Sequence, residues 1–440
     1  MELIKKQITA HQKPGFKKSE LGWIPEDWEI LSFGDLGTFF KGKGIRKDEV
    51  EIDGIPCVRY GELYTIYNNK ISEVKSFINS NVAKSSYKLN YGDVLFAGSG
   101  ETKEEIGKSA VLLRDDTYAG GDIVVLRPKK VDPLYLGYIS NTEFVQKQKS
   151  LNGQGDAVVH IYSSGLSKVK IPLPPTLKEQ KAIAKALSEL DELIASLDKL
   201  IAKKKAIKQG AMQQLLTGKK RLKEFQTTDK YKQTEVGLIP EDWEIVRLGE
   251  IGEFKNGVNK SKEDFGHGKP FVNLMDVFGV ERITSVQNLG LVNSTKEDVA
   301  IYDLRGGDIL FVRSSVKPSG VGLTTVIENH LPEAVFSGFL IRYRTKGLDN
   351  EFKFHCFSEK SFRKRLVSSS SVSANTNINQ DALKQLSIAV PGSKMEQNSI
   401  GMVLSSLNSE IAIFEVKKEK LVKLKQGMMQ ELLTGKTRLV

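Results

Sequence analysis

Cysteine is nearly absent from this sequence. Cys57 and Cys356 are the only two in 440 residues, too few for a disulfide framework or a Cys-rich zinc site. Long apolar runs are missing too. None approaches the roughly 20 residues that cross a bilayer, and the opening MELIKKQITAHQKPGF lacks the apolar core of a signal peptide. The expectation is a soluble, cytoplasmic chain without membrane association. Histidine is scarce, at 11, 160, 267, 330 and 355, with no ligand spacing, so no metal site is expected.

Complete catalytic motifs are lacking as well. The ending TGKT (434–437) resembles the tail of a phosphate-binding loop, but Gln430 stands where the first glycine belongs. In IGKS (106–109) Thr102 does the same. There is no G-x-S-x-G and no H-E-x-x-H. The glycine-rich loop and N/D-P-P-aromatic string of an adenine methyltransferase are also missing. No catalytic residue and no bound cofactor are expected.

What is present is charge, unevenly placed. The net charge is +11, which suits a polyanionic partner. Residues 176–222 hold 11 Lys/Arg against 5 Asp/Glu, and residues 393–439 hold 8 against 5. The remainder is close to neutral, so a nucleic-acid surface there has to be a local patch.

The chain is also a tandem repeat. IPEDWEI at 24–30 recurs letter for letter at 239–245, and YGDVLFAGSG (91–100) recurs loosely as GGDILFVRSS (306–315). VHIYSSGLSKVKIPLPP (159–175) corresponds to TNINQDALKQLSIAVPG (376–392). KQGAMQQLLTGKKRL (208–222) shares twelve of fifteen residues with KQGMMQELLTGKTRL (425–439). The ends of the two copies are alike and the interiors have diverged. This pattern suggests one job done twice at the ends and two different jobs inside.

After each exit strand comes a proline-free run with apolar residues spaced 4, 3, 4, 3. Ile183, Leu187, Leu190, Ile194 and Leu197 form one seam; Ile400, Leu404, Leu407, Ile411 and Phe414 form the other. This is a heptad pattern. It predicts two helices of about 40 residues, roughly 60 Å each, pairing antiparallel as a coiled coil. Gly210 and Gly427 interrupt both at one repeat position, which suggests close backbone approach or a bend.

The interiors read as α+β, with short strands such as GDIVVLRP and GDILFVR and short helices in 134–151 and 350–367. The predicted division is 1–175 for a first globule with its tail, 176–218 for the first long helix, 219–392 for a linker and second globule, and 393–440 for the second helix and end. Polar and basic residues cluster with aromatics in predicted loops. In the first globule these are Lys41, Lys43, Arg46 and Lys47 (39–49), Arg59 and Tyr60 (58–70), and Ser99, Thr102 and Lys103 (97–109). In the second they are Lys255, Asn256, Asn259, Lys260 and Lys262 (254–264), Asn273, and Arg313, Ser314, Ser315 and Lys317 (312–320). Lys and Arg suit phosphates; Arg, Asn, Ser and Lys can read base edges. His160, in VVHIY, reads as structural or DNA-facing.

Two G-x-I-P-E-D-W entries, two variable globules, a P-L-P exit, Glu179-Gln180 and Glu396-Gln397 opening the helices, and two LLTGK ends form a combined pattern covering nearly the whole chain. In this the chain resembles the specificity subunit of type I restriction–modification systems. The second copy departs only in reading VPG at 390–392. The resemblance implies two pseudo-symmetric target recognition domains separated by a pair of long antiparallel coiled-coil helices. Each domain would read one half of a bipartite, asymmetric double-stranded DNA site, with rod length setting the spacer, and the basic loop residues would be the DNA contacts. Two DNA-methyltransferase subunits would dock on the helices and their ends, including Leu215, Leu216, Leu432 and Leu433. Restriction (translocase) subunits would join through them. The chain itself would be non-catalytic, with S-adenosylmethionine, ATP and Mg on the partners. Two other readings fit the residues less well: a coiled-coil tether without a DNA role, and a nuclease or methyltransferase with unrecognised motifs.

Overall fold

The computed structural model describes residues 15–372 and 375–439; the N-terminal segment with His11 lies outside them. The chain divides into two units. The first takes in the chain up to Asp198 together with the stretch from Lys417 onward, and the second is Lys199–Val416. Each therefore holds one globule, the first half of the long helix that follows it and the second half of the other long helix.

The same sheet is built in both. In the first unit, β1 (Gly37–Lys41), β2 (Lys70–Ile71), β3 (Val94–Ala97), β4 (Ser109–Leu112) and β5 (Ile123–Pro128) are ordered β1-β5-β3-β4-β2. In the second, β6 (Gly252–Asn256), β7 (Arg282–Ile283), β8 (Ile309–Val312), β9 (Thr324–Ile327) and β10 (Leu340–Thr345) are ordered β6-β10-β8-β9-β7. All pairings are antiparallel except the edge pairs β4–β2 and β9–β7.

The central strands are apolar throughout because both faces are covered. Val94 and Phe96 face one core, with Tyr135, Tyr138 and Ile183; Leu95 and Ala97 face a second, with Val58 and Leu63. In the second unit, Ile309 and Phe311 likewise face one core, Leu310 and Val312 another.

The near-identical ends of the two repeats form one joint, made twice. The entry strand pairs antiparallel with the exit strand: Glu29–Ser32 with Lys170–Leu173, and Trp243–Arg247 with Ser387–Pro391. Trp28 and Trp243 are fully buried in it. Gln180 Oε1 accepts from Asp132 N at 2.9 Å, and its amide donates to Pro174 O at 2.9 Å. Gln397 does the same with Asp349 N and Pro391 O, at 2.9 and 3.0 Å. Glu179 receives Arg438 at 2.7–2.8 Å, and Arg438 also reaches Asp27. Glu396 receives Arg221 at 2.7–2.8 Å, and Arg221 also reaches Asp242. The EQ, the D of EDW and the R of TGK-x-R are thus parts of one network.

Two 39-residue helices follow, α1 (Leu177–Leu215) and α2 (Lys394–Leu432). They start at the same repeat position, so the VPG variation does not move the helix entry. Their halves run antiparallel in each unit. Asp191 meets Lys425 and Asp198 meets Lys418 in the first; Lys204 meets Glu410 in the second. The seam residues divide by task. Ile183 and Leu187, like Ile400 and Leu404, belong to the globule cores. Leu197 and Ile411 are buried further along, while Leu190, Ile194, Leu407 and Phe414 are half-buried.

Three expectations need correction. A Cβ on Gly210 or Gly427 would meet nothing within 4 Å, and each lies inside an uninterrupted helix, so neither marks close approach. Leu215, Leu216, Leu432 and Leu433 are buried in the cores beside the tryptophans. They hold the joint together and are not available for docking. Finally, α2 contains an 18-residue stretch of mean hydropathy 1.2, long and apolar enough by composition to cross a membrane. Its Ile400 and Leu404 instead bury in the second unit's core.

The TGK strings end the helices. Gly218 and Gly435 have φ of 68° and 71°, the left-handed cap that favours glycine. A Cβ on Gly435 would lie 2.5 Å from Pro25 and 3.2 Å from Trp28; one on Gly218 would collide with Pro240. Gly435→Ala is therefore expected to lower unfolding free energy by at least about 1–2 kcal/mol from backbone strain alone. Gly427→Ala, in open helix, should gain stability instead. Paired thermal melts check this, and equal shifts would refute it.

Candidate nucleic-acid interface

Antiparallel order brings the end of β1, the start of β5, the end of β3 and the start of β4 to one end of the first sheet. Hydrogen bonds knit the loops that leave there. Gly42 N donates to Ile123 O at 2.8 Å, Gly98 N to Asp122 O at 2.6 Å, Gly121 N to Gly44 O at 2.8 Å and Gly120 N to Val58 O at 2.9 Å. All nine residues singled out in this globule lie on these segments.

Lys41, Lys43, Arg46, Lys47, Tyr60, Thr102 and Lys103 are exposed. Among the described residues, only Lys103 of these has an acidic side-chain partner, Asp156 at 3.8 Å. Ile45 anchors the basic loop. It is buried with Cys57, Ile78 and Ala83 at φ 59°, a costly conformation for a β-branched residue. Its burial leaves Lys43 and Arg46 pointing outward on either side. Arg59 is half-buried and held by Glu62, with Nε and Nη2 donating to Oε1 at 3.1 Å. The 58–70 segment, expected as a loop, contains a helix, Tyr60–Thr65.

The second sheet repeats the arrangement with other side chains. Gly257 N donates to Leu340 O at 3.1 Å and Arg313 N to Phe339 O at 2.8 Å. Lys255, Asn259, Lys262, Asn273 and Lys317 are exposed; Asn256, Lys260, Arg313, Ser314 and Ser315 are half-buried. Lys260 is spoken for: its ammonium is 2.7 Å from Asp298 and holds that carboxyl below its usual range. Asn273 caps the turn Leu274–Asp276, and Arg313 donates to Gly338 O at 3.3 Å. Lys262 and Lys317 carry no ion pair among the described residues.

His160, read from the sequence as structural or DNA-facing, and Asn377, not singled out from the sequence, pair with these loops, one in each unit. Ser99, which is buried, lies on a short strand (Ser99–Gly100) paired with Val159–His160, and its Oγ is 2.9 Å from His160 Nδ1. Ser314–Ser315 pairs in the same way with Thr376–Asn377. The repeat alignment already set His160 against Asn377; what it lacked was their strand partners.

Exposed cations and polar side chains gather at this end, whereas the atoms of the phosphate-loop look-alike IGKS are already engaged. Gly107 O takes the Nζ of buried Lys149 at 2.7 Å, and burial pushes that amine down to about 7. Ser109 N is held by Asn141 at 3.1 Å. No cluster of three metal-ligating side chains occurs among the described residues.

Residues 25–209 and 240–424 each match the family described as the type I restriction modification DNA specificity domain. The chain is similar to the type I restriction enzyme MjaVIII specificity subunit of Methanocaldococcus jannaschii, at 28% identity over 98% of both chains. It is also similar to the EcoKI specificity subunit of Escherichia coli (strain K12), at 24% identity over 79% of this chain and 74% of that one. Its fold is like that of the type I restriction–modification S subunit from M. genitalium, with a TM-score of 0.57 at 15% identity over 96% and 99% of the two chains.

Proposed function

This chain belongs to the family of type I restriction–modification DNA specificity subunits, and we propose that its two sheet ends read the two halves of a bipartite, asymmetric DNA site. It is a non-catalytic DNA-recognition subunit that assembles with other subunits of such a system. The carrying observation is the repeated sheet end: one backbone frame, exposed cations in both copies, and different side chains at matching positions. A frame made twice with different side chains suits two different half-sites.

In this reading Lys41, Lys43, Arg46 and Lys47 in the first unit, and Lys255, Lys262 and Lys317 in the second, contact phosphates. Tyr60, Thr102, Asn256, Asn259, Asn273, Arg313, Ser314 and Ser315 lie near base edges or sugars. Arg59 and Lys260 hold acidic neighbours, and Ser99 acts through His160. The loop around Lys103 also carries Glu101, Glu104 and Glu105, which makes it a poor phosphate contact. Two methyltransferase subunits dock on this chain and bring S-adenosylmethionine; restriction subunits, with ATP and Mg, join through them in the cytoplasm.

The reading is tested by titrating the chain, together with its methyltransferase subunit, against duplex DNA at several salt concentrations. Log affinity should fall steeply with log salt. Each of Lys41→Ala, Lys43→Ala, Arg46→Ala and Lys47→Ala should reduce that slope by about one. A flat dependence, or slopes unmoved by all four, would remove the phosphate-contact assignment.

A further inference from the structure

We propose that His160 in the first unit and Asn377 in the second are corresponding base-reading side chains, with Ser99 positioning His160. The proposal rests on the DNA-reading function above and names the residues that distinguish the two half-sites.

The backbone frames coincide. Ser99 faces His160 and Ser314 faces Asn377 across antiparallel strand pairs. The next residue closes the same bond in each: Ile161 N donates to Gly98 O at 2.9 Å, and Ile378 N to Arg313 O at 2.9 Å. These two positions are therefore presented identically, at the sheet end where the exposed cations gather. Their side chains differ in chemistry.

His160 is fixed from two sides. Ser99 Oγ lies 2.9 Å from Nδ1, and the ring stacks on Tyr162, with centroids 6.3 Å apart and planes 23° apart. Ser99 is itself held, since Tyr64 Oη donates to its carbonyl at 3.1 Å. In the tautomer in which the serine hydroxyl donates to Nδ1, the imidazole proton sits on Nε2, for which the described residues supply no partner. A single outward N–H donor matches acceptor-bearing base edges, guanine N7 and O6 or thymine O4. Tyr162 is 49% exposed beside it and offers a flat face.

Asn377 is set differently. One amide hydrogen goes to Asn375 O at 3.0 Å. Among the described residues, Oδ1 and the second amide hydrogen have no partner, and they form the acceptor–donor pair that matches adenine N6 and N7. The position of Tyr162 is taken by Asn379, whose side chain is occupied capping a helix through Ala382 N at 2.8 Å. The first unit thus presents one donor beside an aromatic face, and the second an amide fork.

The test is the methylated motif. The full chain with its methyltransferase subunits modifies a random-spacer duplex library, and sequencing reads both half-sites. His160→Asn and His160→Ala should alter or relax one half alone, lowering preference for the original base roughly ten- to hundred-fold. Asn377→His and Asn377→Ala should do so in the other half alone. Ser99→Ala, which removes only a hydroxyl, should weaken discrimination in the His160 half; it decides the case if the His160 variants do not fold. The untouched half is the folding control within each molecule. Motifs unchanged in both halves across all these variants overturn the proposal. A wild-type complex that methylates no bipartite motif would instead overturn the DNA-reading function beneath it.

Discussion

An Arg221→Ala variant is expected to lose about 3–5 kcal/mol of unfolding free energy, because it strands a buried carboxylate. The Arg221 side chain is 3% exposed and so is that of Glu396. The guanidinium meets Glu396 in parallel, Nε to Oε1 at 2.7 Å and Nη2 to Oε2 at 2.8 Å. Its remaining nitrogen, Nη1, reaches both oxygens of Asp242 at 2.8 and 3.0 Å. Lysine cannot reproduce that fork, so Arg221→Lys should recover only part of the loss. The matching residue, Arg438, is 32% exposed, and solvent competes for its contacts. Arg438→Ala should therefore cost distinctly less than Arg221→Ala. Urea unfolding of the three variants measures this, and a loss below about 1 kcal/mol for Arg221→Ala would refute the buried-pair account.

Acidification from pH 6.5 to 5 is expected to remove roughly 2 kcal/mol through His355 alone. Burial pushes this imidazole down to about 3, and the nearby Lys208 and Arg282 cations act in the same direction; Glu351 opposes them. Its Nε2 is 3.0 Å from Ser405 Oγ, which donates to Glu351 at 2.6 Å. Arg282 sits 3.8 Å over Phe354 and donates to Glu351 at 3.0 Å. The folded chain therefore holds a neutral imidazole, while the unfolded chain takes up a proton near pH 6.5. The stability is fully present above 6.5 and is lost as pH falls toward 3, at about 1.4 kcal/mol per pH unit. His355→Gln should flatten the slope between pH 6.5 and 5; denaturation midpoints with the same pH slope as wild type would exclude His355 as its source.

Much of this was legible in the sequence because it is periodic or repeated. The heptad spacing announced both long helices, and the matched ends announced one element made twice, although as a docking surface and not as the joint they form. The loop clusters all fell at one sheet end because strand ends alternate regularly in an antiparallel sheet. What escaped is pairing across long separations. Leu215, Leu216, Leu432 and Leu433 look like an exposed repeated motif until the tryptophans they cover are known. Gly210 and Gly427 look special because they recur, yet space around them is open. Ser99 and His160 are 61 residues apart, and no local pattern links a hydroxyl in a glycine-rich loop to an imidazole in an apolar run. Lys260 reads as a free cation because its partner Asp298 is 38 residues away, whereas Arg59 reads as free despite a partner, Glu62, only one helical turn on.

The joint made twice is closed by two very different lengths of chain. In the second unit Arg221 and Asp242 are 21 residues apart; in the first, Arg438 and Asp27 are 411 apart. Closing the longer loop costs about 2.5 kcal/mol more in chain entropy. During synthesis the Arg221–Asp242 contact can form as soon as its short segment emerges, ahead of the exit strand and Glu396. The distant one has to wait for residues 432–438. Until then Trp28 and Ile24 lack the cover of Leu432 and Leu433, and apolar surface of that kind invites aggregation or chaperone binding.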